Sequence, residues 1–456
     1  MLWVGEAFAS PYLAMSEPEV RDLHERPAEL LQRLLRFDTT NPPGAERGCV
    51  EWLAGLLEQA GLETAFVAAV PTRPSLVARL RGRGDAPPLL LEGHVDVVST
   101  AGQRWTHPPF AGEIVDGYVW GRGALDMKGG VAMFVAAALR AAATQLTPAG
   151  DVVLALVSDE EGGGDAVAAH LVRERPDLLA GVRYALGEFG GFSLELGGRR
   201  FYPIQVAEKQ LWWLRATVRG PAGHGALPMR GGSMARLATL LRVLDRRRLA
   251  VHVTPVARRM IEEVAAALPA PTSLVLRRLL DPRLSDRVLD VLGERGRVFD
   301  PLLHHTVNAT IVRGGDKINV VPAEATIELD GRVLPGFTAG DLLSELQALV
   351  GPDVELEVLR HDPGPPEPDL GLYDLLAEVL READPSGTPV PLLLAAITDA
   401  RHFARLGIQT YGFLPMQLPR EMRFMDLIHA ADERIPVDAL RFGADAVFSV
   451  LERYGH

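Results

Sequence analysis

The chain has 456 residues, too many for one ordinary hydrophobic core, so two domains are expected. It is 47% apolar and 23% charged, the balance of a folded globular protein. A net charge of −12 argues against nucleic acid or an anionic membrane as the main partner. The single cysteine, Cys49, rules out an internal disulfide and a cysteine-based zinc site, so any metal must be held by His, Asp and Glu.

The first fifteen residues, MLWVGEAFASPYLAM, carry no Lys or Arg ahead of their apolar part and make a poor signal peptide. Residues 1–15 are expected to be a flexible extension, with Met15 a second possible start. No uncharged apolar run reaches spanning length, and a cytoplasmic location is expected. Residues 17–36 have helical leucine spacing, with Pro27 able to begin a second helix. DTTNPPG (38–44) is a turn cluster, and 48–60 an amphipathic helix ended by Gly61. Strand signals follow at 63–70 and 75–81.

LLLEGHVDVV (89–98) is a β-type apolar run that opens at Gly93 to present His94 and Asp96. Residues two apart share a face of an extended chain, so the two can sit side by side. A metal-binding imidazole needs its second N–H held by an acceptor, and the pair fits that need. Taken alone, it fits an ordinary satisfied pair better.

EIVDGYVWGRG reads as a hairpin turning at Asp116-Gly117, and 131–144 as a helix of small residues. DVVLALV (151–157) is a buried-type strand that runs straight into SDEEGGG. A helix at 164–174 and a strand ending at 184–188 follow. Strand and helix alternate, with polar residues bunched at strand ends, as in an open α/β sheet that binds ligands at the carboxyl ends of its strands.

From Lys209 the texture changes. LWWLRATVRG alternates as a half-exposed strand, GPAGHGALP turns, and 232–246 is a helix. An arginine-rich helical stretch runs to about Asp300. Strands at NATIVRGG and EATIELDGRVL, a helix at 340–350 and a strand at 353–359 complete a β-α-β-β-α-β order. This reads as a ferredoxin-like α+β domain over 209–360, inserted between catalytic parts 16–208 and 361–456. HDPGPPEPD is the return linker; a helix at 371–382 and a closing helix from Val437 follow.

Asp126, the Glu160-Glu161 pair, Glu188 and His429 all fall at ends of predicted elements. With His94 they supply two imidazoles and enough carboxylates for two zinc ions bridged by one aspartate. Glu160 and Glu161 follow a buried strand and precede three glycines, where idle buried acids would be costly. Neighbouring side chains there diverge, so one can bind metal while the other acts as general base.

GHVD (93–96), GRGALDMKGG (121–130), DEEGG (159–163) and His429 with Asp432-Glu433 together resemble the zinc aminoacylase/carboxypeptidase family of metallopeptidases. That family includes acetylornithine deacetylase, succinyl-diaminopimelate desuccinylase, carboxypeptidase S and the N-fatty-acyl-amino-acid hydrolases. The resemblance implies a zinc-peptidase-like open sheet with helices on both faces and a smaller α+β lid that dimerises. It implies one zinc on His94, Asp126 and Glu188 and a second on Asp126, Glu161 and His429; cobalt or manganese would also suit. Asp96 would orient His94, Glu160 would be the general base, and the peptide bond after Asp126 would be cis. His224 would reach across a homodimer to support the oxyanion, while Asn319 and Arg332 would lie near the substrate carboxylate. Apart from the match, His224 reads as a packed turn histidine, and Arg332 equally well as a strand-surface charge.

ALGEFGG departs from many members after Glu188, which leaves Glu195 as an alternative ligand. The stretch 256–305 is longer than the compact lid of the deacetylases and is closer to carboxypeptidase S and the fatty-acyl hydrolases. Its leucines form lid core or wall an apolar pocket, core being favoured. The expected activity is a two-zinc hydrolysis of an N-acyl amino acid or a C-terminal peptide bond. The alternatives are an acetylornithine deacetylase or succinyl-diaminopimelate desuccinylase activity and, less favoured, an inactive binder.

Overall fold

The computed structural model describes residues 22–164, 167–364 and 367–456. The expected extension over 1–15 and the start of the 17–36 helix lie outside them, as do residues 165–166 and 365–366 of the expected helix and return linker. Pro27 opens the α-helix Pro27–Leu35, as its fixed φ and missing N–H favour at a first helical position. Among the described residues no helix is long and apolar enough to cross a membrane.

The chain forms two compact units. The first holds the described residues up to Val206 with Asp369–Pro391 and Thr398–His456; the second holds Ala207–Pro368 and Leu392–Ile397. The first unit is built on a mixed sheet of nine strands. At its centre Val152–Val157, Leu89–His94, Tyr184–Gly187 and Gln409–Gly412 run parallel, in that order. His94 pairs with Val157 and Leu89 with Tyr184, so these strands end together and release their next residues at one edge. Leu89, Leu90 and Leu91 are fully buried, as expected of a strand covered on both faces. Ser75–Leu80 and Glu63–Val67 extend the sheet antiparallel on one side.

The strands Arg199–Glu208, Gly387–Leu394 and Gln409–Gly412 are not apparent from the sequence pattern. Pro203, Pro389 and Pro391 break the usual strand signal, and the third strand spans only four residues. Gly387–Leu394 is the last strand of the sheet, where a missing N–H is tolerated.

The second unit has the expected β-α-β-β-α-β order. Its antiparallel sheet runs Thr306–Arg313, Glu324–Val333, Gln210–Arg219, Val354–Asp362. Glu324–Val333 alternates buried and half-exposed residues, and its inward face packs with Leu214, Leu237, Leu240, Leu342 and Leu346. In the helical stretch before Thr306, Leu276, Leu279 and Leu289 are buried, while Leu274 and Val291 are exposed.

In the first unit the helix Val437–Arg453 lies against Lys128–Ala143. Gly443 permits the approach, because a Cβ there would stand 2.3 Å from Met133 Sδ and 2.5 Å from the Pro415 carbonyl oxygen. Gly443→Ala should gain about 1 kcal/mol of helix propensity and lose roughly 1–3 kcal/mol or more to overpacking against backbone that cannot yield. A lower denaturation midpoint is the expected result; a raised one would contradict this packing.

Candidate metal centre

The edge where the parallel strands end gathers residues far apart in sequence. His94 closes its strand and is buried. Its Nδ1 lies 3.0 Å from the backbone oxygen of Asp96 and 3.6 Å from that residue's carboxylate. The nearer backbone carbonyl accepts the hydrogen bond, with the Asp96 carboxylate close beside it. That bond places a proton on Nδ1 and turns Nε2 toward Asp126 Oδ1 at 3.1 Å and Glu188 Oε2 at 3.5 Å.

Asp126 is shared. Its Oδ1 faces His94, and its Oδ2 lies 3.1 Å from His429 Nε2, which also meets Glu161 Oε1 at 3.1 Å. The Asp126–Met127 peptide is cis. Donor atoms of His94, Asp126 and Glu161 lie within 4.8 Å of one another, and so do those of His94, Glu160 and Glu188. Glu195 is elsewhere, paired with Arg200 and Arg420, which leaves Glu188 as the carboxylate at this site.

The electrostatics are those of crowded acids. Burial, with Glu188 and Asp399 nearby, pushes Glu160 well above the usual carboxylate range. Burial likewise raises Glu188, and it pushes Asp399 up to about 7. Burial alone would lower His94, but the surrounding carboxylates of Asp126, Asp96 and Glu188 outweigh it and hold the ring well above its ordinary value. Hydrogen bonds to Asp126 and Glu161 raise His429 to about 10. Asp126 is driven low by the same two histidines despite its burial. Among the described residues no Lys or Arg pairs with Asp126, Glu160, Glu161 or Glu188. Two imidazole nitrogens among four carboxylates with no other cation is a donor set that suits two hard or borderline divalent ions.

The loop bearing Asp126 is held by Glu433, a role not evident from the sequence although its motif is. The Glu433 carboxylate accepts the N–H groups of Gly123 (3.0 Å), Leu125 (2.8 Å) and Asp126 (3.1 Å) and pairs with Arg122 at 2.6 Å. Both side chains are buried.

The remaining predicted residues lie in the second unit. His224 is exposed on the short strand Gly223–His224, paired with Val320, and its Nδ1 accepts the Ala226 N–H. Asn319 stands beside it, its carbonyl accepting the Gly225 N–H. Arg332 lies opposite Leu211 and Thr306 and is gripped by Asp330, while its Nη1 is buried with no hydrogen-bond partner among the described residues.

A second cluster in this unit, His252, His305 and Glu345, has donor atoms equally close together. Its chemistry differs. The Leu334 N–H donates to His305 Nδ1, so in the neutral ring Nε2 carries the proton and has no lone pair for a metal. Burial, with His252 and Lys209 adding to it, pushes His305 down to about 3 and keeps it neutral.

The sheet and the histidine–carboxylate cluster define a metal-dependent hydrolase. The chain belongs to peptidase family M20/M25/M40, whose model matches residues 90–453. It is 30% identical over 445 residues to a succinyl-diaminopimelate desuccinylase of Paracoccus denitrificans, covering 94% of this chain and 98% of that protein. It is 27% identical over 383 residues to the human N-fatty-acyl-amino acid synthase/hydrolase, covering 80% and 74%. The crystal structure of an M20 family metallo-carboxypeptidase from Sulfolobus solfataricus superposes with a TM-score of 0.67 over 94% of this chain and 99% of that one. Sequence identity to it is 16%.

Two predictions follow from this geometry. With His94 raised and His429 raised to about 10, a metal must compete with protons for these rings. Zinc entering chelator-stripped protein near pH 7 should release protons, and its affinity should rise with pH. Calorimetry in buffers of different ionisation enthalpy measures this, and uptake without proton release would contradict the ligand assignment. Glu433→Ala strands the buried Arg122 and three amides and should cost about 3–5 kcal/mol in urea denaturation, with Glu433→Gln milder.

Proposed function

We propose that the protein is a two-metal amidohydrolase that cleaves an N-acyl amino acid or a C-terminal peptide bond. The observation that carries this is Asp126, whose two oxygens face two different histidines with Glu160 beside them. One ion would be held by His94, Asp126 and Glu188 and the other by Asp126, Glu161 and His429, with zinc suited to both. When bound, such ions polarise an amide carbonyl and lower the pKa of an attacking water.

Glu160 is the general base. No cation pairs with it among the described residues, and its raised pKa brings it nearer working pH, where proton transfer in both directions is efficient. It takes the water's proton on a carboxylate oxygen and returns it to the departing nitrogen. Arg332 is assigned to a substrate carboxylate, a reading supported by its buried, unpartnered Nη1, with Asn319 assigned to the same end of the substrate. His224 is assigned to the oxyanion from a partner subunit. Its exposure and the sheet-edge strand Thr306–Arg313, with exposed Ile311 and Val312, support a homodimer formed through this unit.

A second reading is a desuccinylase or deacetylase of amino-acid biosynthesis. It is favoured by the near full-length match to the Paracoccus desuccinylase. Release of free amino acid from N-acetyl, N-long-acyl and N-succinyl amino acids and from dipeptides, with zinc-loaded and chelated protein, decides between the two. Chelator-sensitive release is expected, and the best substrate ranks the readings. Glu160→Gln should keep two zinc ions per chain and lose about 10²–10⁴-fold in kcat. Wild-type turnover by that variant would remove Glu160 as the base. Two bound zinc ions with no release from any substrate would favour an inactive binder.

A further inference from the structure

The DTTNPPG turn has no part in the chemistry above, yet it is fastened to the metal-bearing edge. Thr39 Oγ1 donates to the Val95 carbonyl at 2.6 Å, and the Val97 N–H donates to the Thr39 carbonyl at 3.1 Å. The Asn41 N–H donates to the Val97 carbonyl at 2.9 Å. The turn therefore runs as a short added strand beside the residues that follow His94, and Asn41 is buried.

From there Asn41 Nδ2 donates to Asp96 Oδ2 at 2.8 Å and to Asp159 Oδ1 at 3.2 Å. Asp96 in turn accepts the backbone N–H groups of Glu160, on Oδ1 at 3.2 Å, and of Glu161, on Oδ2 at 3.1 Å. The same Asp159 oxygen is met by Arg73 at 2.8 Å, and Arg73 also pairs with Glu46 and donates to the Ser158 carbonyl. Two buried carboxylates, Glu46 and Asp159, thus share one guanidinium. Asp159 and Asp96 are kept together by the two hydrogens of one neutral amide. Gly162 completes the fit, since a Cβ there would stand 2.5 Å from Asp159 Oδ1 and 2.9 Å from Asn41 Nδ2.

We propose that Asn41 is a positioning residue: by tying Asp96 to Asp159 it fixes the backbone from which Glu160 and Glu161 project. Its side chain acts through Asp96 and Asp159. The inference rests on the two-metal reading only for its consequence in catalysis; the hydrogen-bond chain can be tested without it.

The experiment is hydrogen exchange, read by NMR or by fragmentation mass spectrometry, on metal-free protein. It compares wild type, Asn41→Ala, Asn41→Asp and the neighbouring control Thr40→Ala, whose hydroxyl bonds only within the turn, to Asp38. Exchange of the Glu160 and Glu161 amides should rise at least tenfold in both Asn41 variants and less than twofold in Thr40→Ala. Asn41→Asp keeps the shape and loses the donor, so wild-type exchange in that variant would reduce Asn41 to packing and overturn the proposal. Equal loosening by Thr40→Ala would overturn it as well. Zinc titrated into the same proteins should bind at least tenfold more weakly to both Asn41 variants. If wild type takes up no zinc, the two-metal reading fails while the exchange result still decides the role of Asn41.

Discussion

Crowding of like charge governs the first unit. Asp126, Glu160, Glu161 and Glu188 converge on two imidazoles where parallel strands end, and no Lys or Arg among the described residues pairs with them. Such a gathering would be strongly unfavourable if left uncompensated. Raised pKa values at Glu160 and Glu188 and a raised value at both histidines are the protein's response without metal. Divalent ions would offset the same charge and hold the carboxylates ionised. One carboxylate with an oxygen toward each histidine, as Asp126 has, could serve two ions.

Holding these groups in place falls to backbone contacts made by other buried carboxylates. Glu433, late in the chain, accepts the loop N–H groups of Gly123, Leu125 and Asp126. Asp96 does the same for the glutamate pair, and its own backbone carbonyl sets the His94 ring. Each clamp joins segments separated by tens to hundreds of residues. Each also places an anion close to a cluster already rich in anions, so each needs a partner: Arg122 for Glu433, and Asn41 for Asp96.

The second unit is governed by a different constraint. One face of its four-stranded sheet is covered by the helices Ser233–Arg246 and Ala339–Val350, and the alternation along Glu324–Val333 records which face that is. His252, His305 and Glu345 resemble a metal site by proximity, but one backbone hydrogen bond to His305 Nδ1 fixes the wrong tautomer for ligation. Hydrogen-bond direction, rather than distance, separates this cluster from the one in the first unit.

Local pattern was enough for the elements whose reasons are local. The apolar runs at 89–94 and 152–157, the Asp116-Gly117 hairpin and the β-α-β-β-α-β order of the second unit are legible because periodicity and turn chemistry specify them, while the motifs around His94, Asp126, Glu160 and His429 are legible through their resemblance to a known family. The strands containing Pro203, Pro389 and Pro391 were not legible, because proline breaks the strand signal, and for Pro389 and Pro391 only the edge position makes it acceptable. The resemblance named Glu188 with Glu195 as an alternative, and only the folded structure shows which of them stands beside His94. The clamps by Glu433 and Asn41 were hidden for the same reason. A hydrogen bond between residues 55 or 310 positions apart leaves no periodic mark in the chain. The sequence determined which chemistry is available; tertiary structure alone decided which oxygen faces which nitrogen, because that depends on strand ends meeting in space.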